Sequence, residues 1–303
     1  MALRDLGALS TELAEWATSD IPRVPTGYSI FDSRTNGGIA PGEVALFLAR
    51  SSVGKTWFVI NMLNHNPSVP SIFFSLEMHG RYVLQRLTAV HTGVGTDFIE
   101  NMMMQRGKAD AVDQTVLTFP KLMCDDRPGM TLGDMLDSID EYEEVHGERP
   151  RLIAIDYMEL IKAYGSSQME TVDKLAWAVK DFARESDTAV VVLHQVKRGE
   201  SKKGHQNVGH MPLTMTDARF GGEMAADYVF GMYKPDLDPE LGEWDRQHLE
   251  NDIRLQFLKT RSGGGIQPLG EQHFWDGRTG RIQELKWAQS DLRAMAREHF
   301  DDE

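Results

Sequence analysis

Short apolar runs alternate with longer stretches of helical periodicity along this chain. Such alternation is typical of an α/β domain, in which a mostly parallel sheet is covered by helices on both faces. The runs that predict strands are 44–48, 71–76, 152–157, 189–193, 228–232 and 253–258. The patterns that predict helices lie around 57–64, 80–92, 97–106, 131–146 and 170–186. Little regular structure is predicted for 163–169, 197–211, 235–250 and the acidic tail 301–303.

The first twenty residues have a pattern of their own. Leu6, Leu9, Leu13 and Trp16 recur at helical spacing and give a short helix with one apolar face. This helix either packs on its own domain or docks on a neighbouring subunit, because a short isolated helix is marginal in water. The predicted organisation is a linker or docking helix at 1–20, a main domain at 21–286, and a C-terminal helix with an acidic tail at 287–303.

Composition narrows the class of protein. The 303 residues, 41% hydrophobic and 26% charged, suit a globular chain of one large or two small domains. The single cysteine, Cys124, excludes a disulfide framework and a cysteine-rich zinc site. With neither a signal peptide nor a membrane span in the pattern, we expect a cytoplasmic protein without membrane partners. The net charge of −14 argues against a general polyanion-coating protein, so any nucleic-acid site must be confined.

A phosphate-binding loop lies between the first predicted strand and the helix that follows it. Its sequence at 49–56 is ARSSVGKT, in which alanine replaces the usual first glycine. Backbone N–H groups at such a turn converge on phosphate oxygens, Lys55 neutralises the β- and γ-phosphates, and Thr56 ligates Mg²⁺. The alternative is an ordinary helix start. The predicted nucleotide-binding residues are Ala49, Arg50, Ser51, Ser52, Val53, Gly54, Lys55 and Thr56.

Polar side chains end three other predicted strands. Asp156 ends the run 152–157 and is suited to hold a Mg²⁺-bound water at the sheet edge where the phosphate loop lies. Glu77 ends the run 71–76 at the same edge and is either a catalytic base or a charge stabilised by the next helix dipole. Gln195 closes the run 189–193, where a neutral amide can sense the γ-phosphate without adding charge.

A pair of cations follows the last predicted strand. Lys259 and Arg261 lie two residues apart on one side of an extended segment, so both can point at a single anion. The glycines at 263–265 suit a hairpin turn. The alternative for this pair is a solvated position on a strand surface.

A confined basic stretch is the DNA-binding candidate. In 197–205, four basic residues outnumber one acid, and contacts from lysine or arginine to phosphates are what a sequence-independent DNA translocase needs. The predicted DNA-binding residues are Lys197, Arg198, Lys202, Lys203 and Arg219.

Six stretches, in order and covering about residues 22–282, resemble the motor domain of DnaB-type replicative DNA helicases. The resemblance implies a RecA-like P-loop ATPase core, with a mostly parallel central sheet flanked by helices and a C-terminal antiparallel hairpin. It also implies a ring of six subunits with nucleotide at each interface, and translocation on single-stranded DNA. The stretches are TGY at 26–28, ARSSVGKT at 49–56, FSLEM at 74–78, CDD at 124–126 with PG following, LIAIDYMELI at 152–161, and KTR at 259–261.

The resemblance also implies residue roles. Asp156 is the expected Walker B acid, and Glu77 polarises the attacking water. The K-x-R pair at 259–261 reaches the neighbouring subunit's nucleotide and supplies an arginine finger. Arg219 belongs to a D-x-R near the second pore loop, and the segment 164–169 fits a first pore loop or a mere surface loop. ATP and Mg²⁺ are the implied cofactors.

Three departures from the family pattern affect these expectations. Only about twenty residues precede the motor domain, so ring assembly is expected to depend on that domain and the leading helix rather than on a collar domain. Glu159 stands where the family usually has glutamine, and His194 where it usually has a small polar residue. Glu159 together with Glu77, Asp125 and Asp126 makes a nuclease-like two-metal cluster conceivable, although surface placement of Glu159 is favoured.

The sequence therefore predicts a phage-type or plasmid-type DnaB-like ATPase. It would act as a hexameric 5′ to 3′ DNA helicase or single-stranded-DNA translocase in replication, in the host cytoplasm if a phage encodes it. A helicase loader or a primase is a candidate partner. The alternatives are a recombination ATPase or mediator of the RecA or RadA type, a DNA-binding ring scaffold with weak ATPase, and a metal-dependent DNA nuclease.

Overall fold

The computed structural model describes residues 4–20, 23–162, 168–196, 209–217, 225–261, 263 and 265–285. Within them, the strands form one sheet. The strands are β1 (Val44–Arg50), β2 (Ser71–Ser75), β3 (Leu122–Asp125), β4 (Leu152–Asp156), β5 (Ala189–Val196), β6 (Tyr228–Tyr233), β7 (Asp252–Thr260), β8 (Gln267–Asp276) and β9 (Arg281–Glu284).

The sheet has a parallel part and an antiparallel part. Its order is β3-β2-β4-β5-β1-β6-β7-β8-β9. The strands from β3 to β6 in that order run parallel, and β7, β8 and β9 each run antiparallel to their neighbours. The predicted fold class is therefore confirmed, including the antiparallel pairing near the C-terminal end.

Helices connect and cover these strands. Where a helical stretch was predicted, its bounds agree with the observed helix to within two residues at each end. The helices are α1 (Leu6–Ala17), α2 (Ser29–Asp32), α3 (Lys55–His65), α4 (Gly80–Thr92), α5 (Thr96–Arg106), α6 (Asp110–Thr118), α7 (Leu132–His146), α8 (Gln168–Ser186) and α9 (Glu243–Leu249), with 3₁₀ turns at Met158–Leu160, Met215–Asp217 and Pro235–Leu237.

The hydrophobic core lies on both faces of the sheet. On one face, Phe47 of β1 stacks on Phe58 of α3 with ring centroids 3.9 Å apart. On the other face, Leu46 and Leu48 join the cluster that contains Phe182 of α8. Alternate residues of β1 thus enter different clusters, as the two-residue period of a strand requires. Because β1 is packed on both faces, it fixes the position of the phosphate loop that follows its last residue.

Six elements, α2, α6, α9, β3, β8 and β9, lie outside the predicted strand and helix stretches. Strand β3 has only four residues, none of them fully buried, and lies at the sheet edge. Strand β8 carries a proline, a glycine and mostly polar side chains, which obscure its periodicity. The expectation of little structure in 235–250 was wrong, because a 3₁₀ turn and α9 lie there. Helix α9 has no buried residue, so it gives no hydrophobic signal.

The segment before β1 supports the helix that follows the phosphate loop. Asp32 accepts hydrogen bonds from the backbone N–H groups of Thr26 and Gly27, at 2.8 and 3.0 Å. Tyr28 is buried and stacks on Phe58 of α3 with ring centroids 5.4 Å apart. Gly27 has a φ of +84°, and a Cβ there would lie 2.2 Å from the ring of His65. Only glycine fits this approach.

Helix α1 is present as predicted and has no buried residue. Leu6 and Leu13 are 83% and 60% exposed, so the apolar face is not covered by the described part of its own domain. No described helix is both long and apolar enough to span a membrane. The predicted C-terminal helix and tail at 287–303 lie outside the described residues.

Candidate functional site

The phosphate loop is a tight turn between β1 and α3. Ser52 and Gly54 have φ values of +67° and +110°, and Gly54 immediately precedes α3. Lys55 and Thr56 are the first residues of α3, and both are buried. The first N–H groups of the helix therefore point into the same space as the Lys55 ammonium, which is the arrangement that binds phosphate oxygens.

Asp156 ends β4 beside the phosphate loop. Its Oδ2 accepts a hydrogen bond of 2.6 Å from the hydroxyl of Thr56. Its Oδ1 is buried and has no hydrogen-bond partner among the described residues. A buried carboxylate oxygen without a donor fits a cation, and a hydroxyl beside a carboxylate is an oxygen donor set that Mg²⁺ prefers. Thr56 and Asp156 thus fit the predicted Mg²⁺ site.

Burial shifts the pKa values of Lys55 and Asp156 in the directions that favour their neutral forms. It lowers the pKa of Lys55, against the opposing effect of Asp156, Glu77 and Glu159. It raises the pKa of Asp156, and the hydrogen bond from Thr56 opposes that shift. Each group is thus held in a place that disfavours its charge, so a bound phosphate and a bound cation would both be stabilised there.

A cleft of about 640 Å³ opens along the phosphate loop. Glu77, which follows the end of β2, lines this cleft together with Gln195. The helix-dipole interpretation of Glu77 is weaker in the structure, because Asp126 accepts the N–H of Gly80 at the start of α4 instead, at 2.7 Å. Glu77 is thereby left facing the cleft.

Gln195 joins the cleft to the phosphate loop. Its side-chain Nε2 donates a hydrogen bond of 2.6 Å to the hydroxyl of Ser51. Its backbone N–H donates to Glu159 at 3.1 Å. The amide therefore contacts the phosphate loop itself, and its role as a γ-phosphate sensor stays a prediction. Glu159, for which surface placement was favoured, is partly buried, with 22% of its side chain exposed.

Five residues that line the cleft were not predicted as site residues, namely Trp57, Met78, Arg86, Lys234 and Trp275. Arg86 of α4 faces the cleft, with its guanidinium 5.0 Å from the ring centroid of Trp57. Burial lowers the pKa of Arg86, opposed by Asp156 and Glu77. Lys234 and Trp275 also line the cleft. The sequence feature that could have pointed to Arg86 is its place on α4 beside Leu87, a buried position. Lys234 and Trp275 follow or end strands, where no motif marks them.

Arg50 differs from its neighbours in the predicted nucleotide-binding stretch. Its side chain is 4% exposed and forms an ion pair of 2.8 Å with Asp217. Ala49 is fully buried in β1. The side chains of these two residues thus contribute to the core and to an internal ion pair, and the phosphate-facing part of the stretch begins at Ser51.

Lys259 and Arg261 lie at the opposite end of the parallel strands from the phosphate loop. We call these two ends the phosphate-loop edge and the opposite edge of the sheet. β6 runs parallel to β1, whereas β7 runs back, so the end of β7 lies beside the start of β6 and of β1. The seven residues of β1 span about 20 Å at roughly 3.3 Å each, which separates this edge from the phosphate loop. Arg261 thus cannot reach the nucleotide site of its own chain.

Asp227 organises this second edge. Its Oδ1 accepts from Arg261 at 3.0 Å, and its Oδ2 accepts from Lys180 at 2.6 Å and from the N–H of Val44 at 2.8 Å. The Arg261 side chain is nevertheless 47% exposed. Lys259 instead donates to the carbonyl of Ala226 at 2.8 Å. The two cations thus have different acceptors in these contacts, a backbone carbonyl for Lys259 and a carboxylate for Arg261.

The remaining predicted sites divide into two groups. The DNA-binding candidates at 197–203 and Arg219, and residues 164–167 of the pore-loop candidate, lie outside the described residues. Asp125 pairs with Arg127 and Ser138, and Asp126 binds the start of α4, so neither faces the Mg²⁺ site. Within the described ranges, no group of three or more acidic, histidine or cysteine side chains could hold a metal ion. The nuclease interpretation thus finds no support.

Fold and site together define a class of protein, the RecA-like P-loop ATPase domains. The family model "DnaB-like helicase C terminal domain" matches residues 23–267, well over half of the chain. The chain belongs to this family.

Curated relatives agree with this placement. A replicative DNA helicase DnaB of Treponema pallidum is 30% identical over 83% of this chain and 53% of its own length. A replicative DNA helicase DnaC of Bacillus subtilis is 26% identical over 80% of this chain and 53% of its own length. A DnaB of Nostoc is 25% identical, with 23% of its own length covered. The chain thus spans about half of most such relatives or less.

Solved structures share the fold. One of them, an isolated ATPase domain, has a TM-score of 0.76 at 20% identity, covering 94% of this chain and 100% of that one. "The Structure Of A DnaB-Like Replicative Helicase And Its Interactions With Primase" gives a TM-score of 0.73 at 20% identity, over 94% of this chain and 68% of that one. At this identity the likeness supports the RecA-like fold.

Proposed function

We propose that this chain is the motor of an ATP-driven DNA helicase that works as a hexameric ring in DNA replication. The observation that carries the proposal is the placement of two complementary half-sites on opposite edges of one sheet. The phosphate loop, Glu77 and Asp156 are at one edge, and Arg261 is at the other. Subunits arranged head to tail around a ring would bring the two edges together.

The proposed reaction is hydrolysis of ATP. Lys55 and the loop amides hold the β- and γ-phosphates, and Thr56 and Asp156 would hold Mg²⁺, which supplies charge neutralisation when bound. Glu77 takes a proton from water as the water oxygen attacks the γ-phosphorus and the bond to the β-phosphate oxygen breaks. ADP and phosphate leave. Gln195 contacts the γ-phosphate, and Arg261 of a neighbouring subunit neutralises the negative charge that develops in the transition state.

Ring assembly also involves α1 in this proposal. Its leucines are exposed, so docking on a neighbouring subunit is supported over packing on its own domain. Single-stranded DNA would pass through the ring against the basic residues of 197–203 and Arg219. A primase is a candidate partner by analogy with the protein of the solved complex, and a helicase loader is another.

Unwinding of a forked DNA duplex tests the proposal. We expect ATP- and Mg²⁺-dependent strand separation that needs a single-stranded 5′ tail, and none with Lys55→Ala. Replacing Lys197, Arg198, Lys202 and Lys203 together with neutral residues should weaken the salt dependence of single-stranded-DNA binding. The slope of log affinity against log salt concentration should fall in magnitude by about 0.7 for each phosphate contact that is lost. Strand exchange without unwinding would favour the recombination ATPase, and binding without turnover the scaffold.

A further inference from the structure

A close pair of side chains lies beside Gln195. Glu159 is in the 3₁₀ turn that follows β4, and His194 is near the end of the adjacent strand β5. Glu159 Oε1 is 2.8 Å from His194 Nδ1, and the side chains are 22% and 5% exposed. Acidic side chains are mostly exposed unless they are paired, so the contact with His194 accounts for the partial burial of Glu159.

The same carboxylate oxygen also binds the backbone of Gln195. Glu159 Oε1 accepts the Gln195 N–H at 3.1 Å, while the Gln195 side chain donates to Ser51 of the phosphate loop at 2.6 Å. Contacts thus run without a gap from the segment after Asp156, through Gln195, to the loop. Glu159 thus binds the backbone N–H of the residue whose side-chain amide binds the loop, on β5 where Gln195 also pairs with Ala49 of β1.

The chemistry of the pair requires a proton on His194. An ionised carboxylate only accepts hydrogen bonds, so its close approach is favourable only when Nδ1 carries hydrogen. Within the described residues, Nδ1 and Glu159 Oε2 are buried without a well-aligned hydrogen-bond partner. The two side chains are therefore close but poorly aligned for a hydrogen bond.

We propose that Glu159 and His194 form a positioning pair that fixes the Gln195 backbone, so that the Gln195 amide meets the γ-phosphate during hydrolysis. The proposal rests on the ATPase function proposed above. It concerns this chain in particular, since the sequence pattern of the resembled helicases usually has glutamine and a small polar residue at these two places. Neither residue touches the reacting atoms, so both act through Gln195.

Steady-state ATP hydrolysis tests the pair. Glu159→Leu removes the acceptor at similar size, and we expect kcat to fall about tenfold, the worth of one hydrogen bond, while KM for ATP changes less than about twofold. Glu159→Gln keeps an acceptor oxygen and should retain most of kcat. His194→Leu should lower kcat as well, and the double variant Glu159→Leu/His194→Leu should be no slower than the slower single variant.

A Gln195→Ala background separates positioning from general support of the fold. If Glu159 acts through Gln195, Glu159→Leu should lower kcat no further in that background. Additive losses, an unchanged kcat in Glu159→Leu, or a loss that only follows the folded fraction in thermal melting would each overturn the pair. Wild-type protein that forms rings on DNA but never hydrolyses ATP would overturn the proposed function, and the inference with it.

Discussion

The two edges of the sheet are both charged, and they differ in how their charges are satisfied. At the phosphate-loop edge, Asp156 has a buried oxygen without a donor among the described residues. At the opposite edge, Asp227 is bonded through both oxygens to Lys180, Arg261 and the backbone of Val44. The first edge is built to receive ligands, and the second is built to hold Arg261 in place with about half of its side chain exposed.

This difference explains why one subunit carries both halves of a site without completing it. The strand that supports the loop separates it from Arg261 by about 20 Å. The phosphate-loop edge and the ordered Arg261 can therefore complete one site only when they belong to different subunits. Activity would then depend on assembly, and substitutions at the two edges should fail in different ways.

The largest expected effect is at the phosphate-loop edge. Glu77→Gln keeps the size of the side chain and removes the base, so we expect kcat for ATP hydrolysis to fall by about 10²–10⁴ while ATP binding persists. Glu100→Gln, an exposed change on α5, is the matched control and should have no effect. Turnover at the wild-type rate in Glu77→Gln would remove Glu77 from the mechanism.

At the opposite edge, Asp227→Asn should act on stability and activity together. Breaking a buried ion pair costs about 3–5 kcal/mol, and the partial exposure of Arg261 places the expected loss near the lower value. Folded rings should also hydrolyse ATP more slowly, because Arg261 loses the partner that orients it. Chemical denaturation and turnover per folded subunit measure the two effects.

The control for this variant is Asp125→Asn. It breaks a comparable contact with Arg127 at the edge strand β3, away from Arg261. It should lower the free energy of unfolding and leave turnover per folded subunit unchanged. Equal losses of turnover in Asp227→Asn and Asp125→Asn would mean that the second edge has no special role.

The smallest effect concerns the support of α3. Gly27→Ala places a methyl group against His65 at a positive φ, and we expect a loss of about 2 kcal/mol in the free energy of unfolding. Gly37→Ala is the matched control, because Gly37 has a φ of +98° with nothing within 4 Å of the added methyl. It should cost less, since it adds backbone strain without a clash. Equal melting temperatures of the two variants would contradict the packing of Gly27 against α3.

Much of the parallel part of the fold was predictable, because β1, β2, β4, β5 and β6 are buried apolar runs of strand length. Lys55 and Thr56 were predictable because the phosphate-loop motif directly follows such a run. Asp156 was predictable because it ends one. Hydrophobic pattern alone could not reveal β8 or α9, whose residues are mostly exposed or half-buried. The partners of Glu159 and Arg261 were hidden as well, because they come from strands distant in sequence.

The central claim is that Arg261 completes the site of a neighbouring subunit. Mixing Arg261→Ala with Lys55→Ala subunits tests it most directly, since each is inactive alone for a different reason. Mixed rings should regain ATPase activity wherever an intact loop meets an intact Arg261, and dilution below the assembly concentration should abolish it. Co-assembled rings without any rescue, or separated monomers that hydrolyse ATP at the full rate, would contradict the account.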